Sequence, residues 1–222
     1  MRGKARQSLA VGMLTGLLLI WSTGLRASTF NVTVDSSGLS GSPATLAFIF
    51  VDGGPPDNTV VLSSFTTDWT LATPPSVDDP PGSVSGAGGS GPWTFTDAGG
   101  TSFDYRLFVD FTQVGTSLSF SFTTSDNPPD LGQGSSPDSF SFYVLDTDHF
   151  TPLVLTDDPS DALFLFSIGS PDQCNQGLCV FTPALAGFSI EVTPVQGGAP
   201  EPSTLALLVV GFGAMLRRRR FQ

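Results

Sequence analysis

The chain of 222 residues is 40% hydrophobic and 13% charged, with 9 basic against 20 acidic residues and a formal net charge of −11 at pH 7. Between residues 28 and 199 the acids are 18 Asp and Glu191, faced by Arg106 alone, so that stretch carries −18. This excludes a nucleic-acid partner, because phosphate binding requires clustered Lys or Arg, and it excludes docking on anionic lipid; the same field attracts divalent cations.

At the N-terminus, Arg2, Lys4 and Arg6 precede an apolar run over residues 9–21, and Leu25-Arg26-Ala27 closes it with a small residue. Basic start, short apolar stretch and small-residue ending are the order of a secretory signal peptide, predicted over residues 1–27 with signal peptidase cutting ahead of Ser28. The run is too short for a comfortable membrane span, which takes about 20 helical residues.

Residues 28–192 suffice for one domain with a real core, and their patterning is that of strands. Apolar stretches occur at 30–34, 46–51 and 60–65. After a Gly- and Pro-rich segment over 72–92, predicted as a long exposed loop, Trp93 and Phe95 resume a strand. Tyr105, Leu107, Val109 and Phe111 then share one face, opposite Asp104, Arg106 and Asp110. Residues 118–122 alternate Leu or Phe with Ser without a break, residues 140–144 continue the style, and further runs lie at 163–168 and 188–192. Period-two alternation places one face of a strand in a core and the other in water. Pro, Asp and Asn clusters at 52–58, 126–130 and 157–159 end the runs, since Pro removes a ladder donor and Asp or Asn bonds its own backbone in turns. Eight or more such strands predict an all-β fold, a single antiparallel β-sandwich or jelly roll. Residues 193–199 are predicted as a linker.

The chemistry available to this body is limited. Cys174 and Cys179 are the only cysteines; in an exported protein they are expected to form a disulfide worth about 2 kcal/mol by loop closure. Zinc is poorly supplied, because His149 is the only histidine and a structural site takes four ligands. A Ser-His-Asp enzyme would have to use His149, and no Gly-x-Ser-x-Gly elbow surrounds any serine. Paired carboxylates suited to glycoside hydrolysis occur by chance in so acidic a chain. The body is therefore expected to be non-enzymatic and to need no cofactor. Calcium remains an alternative for Asp146 and Asp148, or for Asp157, Asp158 and Asp161, against the reading of all five as solvated turn residues. Trp69 and Trp93 flank the predicted loop, and two readings stand for them: exposed indoles that stack on sugar rings, or core residues.

Toward its C-terminus the chain carries Pro200-Glu201-Pro202-Ser203-Thr204, an apolar segment over residues 205–216, and Arg217, Arg218, Arg219 and Arg220, followed by Phe221 and Gln222. Twelve helical residues rise only about 18 Å, short of a hydrocarbon core of about 30 Å, and the arginines hold their end on the cytoplasmic side. Turn motif, short apolar helix and basic stop closely resemble the PEP-CTERM sorting signal. The resemblance spans residues 200–222 and implies export by a Gram-negative bacterium that makes extracellular polysaccharide. It further implies a transient anchor in the inner membrane and cleavage near Pro200-Glu201-Pro202 by an exosortase, a membrane-embedded, cysteine transpeptidase-like enzyme. The expected destination is the cell surface or the extracellular matrix. There the body is expected to be structural or adhesive, or alternatively a carbohydrate-binding module for the polysaccharide; a glycosidase-like enzyme is a more remote reading.

Overall fold

The computed structural model describes residues 27–72, 74–77, 84–86, 91–96, 104–125, 127, 129, 136–170, 174–175 and 177–195. The predicted signal peptide up to residue 26, the expected sorting motif Pro200–Thr204, the apolar segment and the four arginines lie outside them. Among the described residues no helix is long and apolar enough to cross a membrane.

The strands are β1 (Ala27–Asp35), β2 (Ala44–Val51), β3 (Thr59–Thr67), β4 (Thr70–Leu71), β5 (Ser76–Val77), β6 (Val84–Ser85) and β7 (Trp93–Thr96). They continue with β8 (Asp104–Gln113), β9 (Ser117–Ser125), β10 (Ser139–Leu145), β11 (Phe164–Ser167), β12 (Leu178–Val180) and β13 (Ser189–Pro194). A first sheet has the order β13-β1-β9-β3-β7-β6 and a second the order β12-β11-β10-β2-β8-β4, with β5 also on β8. Neighbours pair antiparallel throughout. Alternation dictates the layering: in β9, Leu118, Phe120 and Phe122 are buried while Ser119, Ser121 and Thr123 face outward. The two apolar faces close on one another, giving the β-sandwich that the sequence pattern predicts.

The core is largely phenylalanine. Phe122 of the first sheet lies 4.9 Å from Phe30, 5.2 Å from Phe164, 5.4 Å from Phe140 and 5.9 Å from Phe166 between ring centroids. Phe48 likewise meets Phe142 at 5.0 Å and, across the sandwich, Phe120 at 5.2 Å. Rings at these separations add favourable edge and offset contacts to the burial of their large apolar area.

Several elements differ from the pattern-based expectation. The segment 72–92 is not simply a loop, since β5 and β6 pair with β8 and β7; two-residue strands are too short to show a period. β12 is unanticipated for the same reason. Residues 193 and 194 belong to β13 rather than to a linker, and Val195 N donates to Thr29 O at 2.8 Å. In β3, Ser64 sits at φ 54° where the pairing with β9 slips by a residue. That bulge turns Phe65 inward, 5.5 Å from Trp93 and 6.4 Å from Phe120.

β1 and β13 lie side by side, Phe30 opposite Pro194 and Asp35 opposite Ser189. The first residues of the sandwich thus neighbour its last.

Candidate functional site

The aspartates organise the turns. Asp68 accepts from Thr116 N at 3.0 Å, Ser117 N at 2.9 Å and Thr116 Oγ1 at 2.9 Å, and a Cβ on Gly115 would fall 2.2 Å from its Oδ1, so the β8–β9 turn needs glycine there. Asp148 accepts from Thr151 Oγ1, Thr151 N and Phe150 N. The Thr116 and Ser117 amides hold Asp68 down to about 2, and the Thr151 hydroxyl and backbone amides hold Asp148 down to about 2, from 3.8; the Ser37 amide lowers Asp35. Carboxylates that are more acidic in the folded chain contribute stability above their unfolded pKa, and it is lost as pH falls through the folded value. The melting temperature is therefore expected to fall between about pH 4 and pH 2. Asp68→Asn should lower it at pH 7, with the gap to the parent chain narrowing as pH falls from about 4 to about 2. A constant gap across that range would refute the role of Asp68.

The five aspartates considered for calcium make the same kind of contact. Asp146 accepts from Thr147 N, Asp157 from Thr182 N, Asp161 from Thr156 N, and Asp158 from Ser160 N and Ala162 N. Among the described residues no group of three His, Cys, Asp or Glu is placed to hold a metal.

His149, at φ 65°, belongs to the loop that follows β10. Its ring stacks on Phe108 at 4.4 Å, and Nε2 lies 2.9 Å from Asp110 Oδ1. Thr45 Oγ1 donates to that same oxygen at 2.6 Å. A nucleophile must face the imidazole that takes its proton, whereas here hydroxyl and imidazole hang from one carboxylate oxygen. The trio is a clasp that fastens the loop over a small outer cluster of Ala47, Phe108 and Leu145.

Trp69 and Trp93 are 6% and 3% exposed. Trp69 Nε1 donates to Ser36 Oγ at 3.1 Å and its ring meets Phe111 at 5.0 Å. Of the two readings of these indoles, burial holds and sugar stacking is corrected, because neither ring presents a face to solvent. Cys174 and Cys179 form a disulfide with Cα atoms 5.2 Å apart, tying β12 to the turn before it.

At the end of the sandwich where β2 leads into β3, Asn58 and Asp138 are each 2% exposed. Asn58 Nδ2 donates to Asp138 Oδ2 at 2.8 Å, its Oδ1 accepts from Ser125 Oγ at 2.8 Å and Asn127 N at 3.1 Å, and Gly53 N donates to Asp138 Oδ1 at 2.7 Å. Sequence patterning does not find this network; its only trace is an amide placed directly after a Pro-Pro-Asp turn.

Among the described residues, the outer face of the first sheet carries rows of small, mostly hydroxyl-bearing side chains. Thr193, Asn31, Ser121 and Ser63 form one row across β13, β1, β9 and β3. Thr29, Thr123, Val61 and Thr94 form the next across β1, β9, β3 and β7. Ser121 Oγ donates to Asn31 Oδ1 at 2.8 Å, and the Thr29 and Thr123 hydroxyls are 3.0 Å apart. The strands of this sheet contain two charged residues, Glu191 on the edge strand β13 and Asp35 at the end of β1. Fold and surface together define an all-β sandwich with one hydroxyl-rich, nearly uncharged face. No protein-family model, no curated protein and no solved structure matches the chain.

Proposed function

We propose that this is an exported surface or extracellular-matrix protein whose C-terminal segment is a removable sorting label, and whose sandwich is a non-enzymatic structural or adhesive body in a polysaccharide-rich envelope. The observation that carries the proposal is the run of Pro200-Glu201-Pro202-Ser203-Thr204, apolar residues 205–216 and Arg217–Arg220 at the end of a chain that begins with signal-peptide features. The apolar segment holds the chain in the inner membrane, and the exosortase releases it by cutting near Pro200. The Cys174–Cys179 disulfide supports export, since such bonds persist in oxidising compartments. A strongly acidic body supports it too, because mutual repulsion keeps released copies apart and soluble.

Mass spectrometry of the C-terminal peptide tests the reading in cells with and without the sorting protease. With the protease the chain is expected to end near Pro200 and to leave the membrane fraction. Without it the tail should remain through Gln222. An intact tail and membrane retention in both strains would overturn the proposal.

A further inference from the structure

We infer that the outer face of the first sheet is a docking platform for a strand of neutral polysaccharide. The inference deepens the adhesive reading above and rests on it for the biological setting.

Charge narrows the partner first. The body carries −18 between residues 28 and 199, so a polyanion, or a second copy brought face to face, meets repulsion as it approaches. The strands of this sheet hold only Asp35 and Glu191 as charged groups, which leaves no array of charges for a polycation either. The partner that suits the face is uncharged.

Chemistry narrows it further. Ser, Thr and Asn side chains both donate and accept hydrogen bonds, and a polyhydroxylated chain does the same. A hydrocarbon surface would cover the row of Asn31, Ser121 and Ser63 without satisfying it, at a desolvation cost.

Geometry supplies the remaining argument. Side chains on a sheet recur about 4.8 Å apart across strands and about 6.7 Å apart along them, so an extended polymer meets equivalent groups repeatedly. Threonine is stiff at χ1, and the Ser121–Asn31 and Thr29–Thr123 contacts fix neighbouring strands to one another. Little side-chain freedom remains to be lost on binding. Each hydrogen bond replaces one made with water and gains little alone, so long chains should bind and short oligosaccharides should not.

The test is affinity electrophoresis of the full-length chain in a polyoxyethylene detergent, through gels containing galactomannan, dextran or hydroxyethylcellulose, with alginate as the anionic comparison. At least one neutral gel should retard the chain, and alginate should not. Ser121→Glu with Thr123→Glu is expected to weaken binding about tenfold or more, a loss of 1.4 kcal/mol. Thr112→Glu with Gln113→Glu adds the same charge to the second sheet and should leave binding unchanged. Thr29→Val with Thr123→Val keeps shape and strand preference while removing hydroxyls, and should also weaken binding; melting temperatures check that each variant is folded. No retardation in any neutral gel, retardation of the folded Glu and Val pairs equal to that of the parent chain, or stronger retardation by alginate would overturn the inference. So would a dimer seen by sedimentation and abolished by the same substitutions, which would assign the face to a second copy. Binding in the gel does not depend on export, so an uncleaved tail in cells would sink the sorting proposal without touching this one.

Discussion

Phe122→Ala is expected to lower unfolding stability by about 4 kcal/mol, a large share of the 5–15 kcal/mol of an ordinary domain. Phe122 is fully buried and its ring contacts Phe30 in its own sheet and Phe140, Phe164 and Phe166 in the other. Alanine removes that apolar area and leaves a cavity between sheets whose backbones are fixed by their own ladders, so the walls cannot collapse onto it. The measurement is urea unfolding followed by tryptophan fluorescence. Phe150→Ala is the comparison, since Phe150 is 77% exposed, and should shift stability by no more than about 0.5 kcal/mol. A cost under about 1 kcal/mol for Phe122→Ala would mean that the two sheets do not pack through this residue.

The second large effect is electrostatic in origin. Asn58→Leu is expected to cost about 3 kcal/mol, because the amide that donates to Asp138 Oδ2 disappears while the carboxylate stays buried. The Ser125 hydroxyl and the Asn127 amide lose their acceptor at the same time. Replacing a hydrogen-bonded pair together is far less damaging than stranding one partner. The double variant Asn58→Leu with Asp138→Leu should therefore cost clearly less than the sum of the two single changes. Strict additivity in a double-mutant cycle would show that the two side chains do not act as a pair.

The sandwich was legible in the sequence wherever a strand was long and half-buried. β9 reads Leu, Ser, Phe, Ser, Phe from residue 118, and β8 puts Tyr105, Leu107, Val109 and Phe111 inward as the pattern requires. Legibility fails where period two is broken or too brief. The bulge at Ser64 transfers Phe65 to the core side, and β5, β6 and β12 span two or three residues each. Phe108 is a different failure. It sits on the outer side of β8, yet His149 and the cluster with Ala47 and Leu145 bury it, a contact made by a loop that returns from β10 and has no local signature. The turn aspartates were recognisable as turn formers, but which amides each would hold depends on strands distant in sequence, as for Asp68 and Thr116. The hydroxyl-rich face is implicit in the alternating Ser and Thr positions; its near-neutrality emerges only once the sheet order shows which strands share it.

The pairing of β1 with β13 has a mechanical meaning. The strands are antiparallel neighbours, and the sandwich begins and ends at the same end of that pair, where Val195 bonds Thr29. A force drawing these two ends apart loads the ladder one hydrogen bond at a time, as a zipper is opened, and detaches β13 before it reaches the phenylalanine core. A force applied through one end alone, against a load held by the broad face of the first sheet, engages many ladder bonds together in shear. The same body is thus compliant along one loading path and stiff along the other.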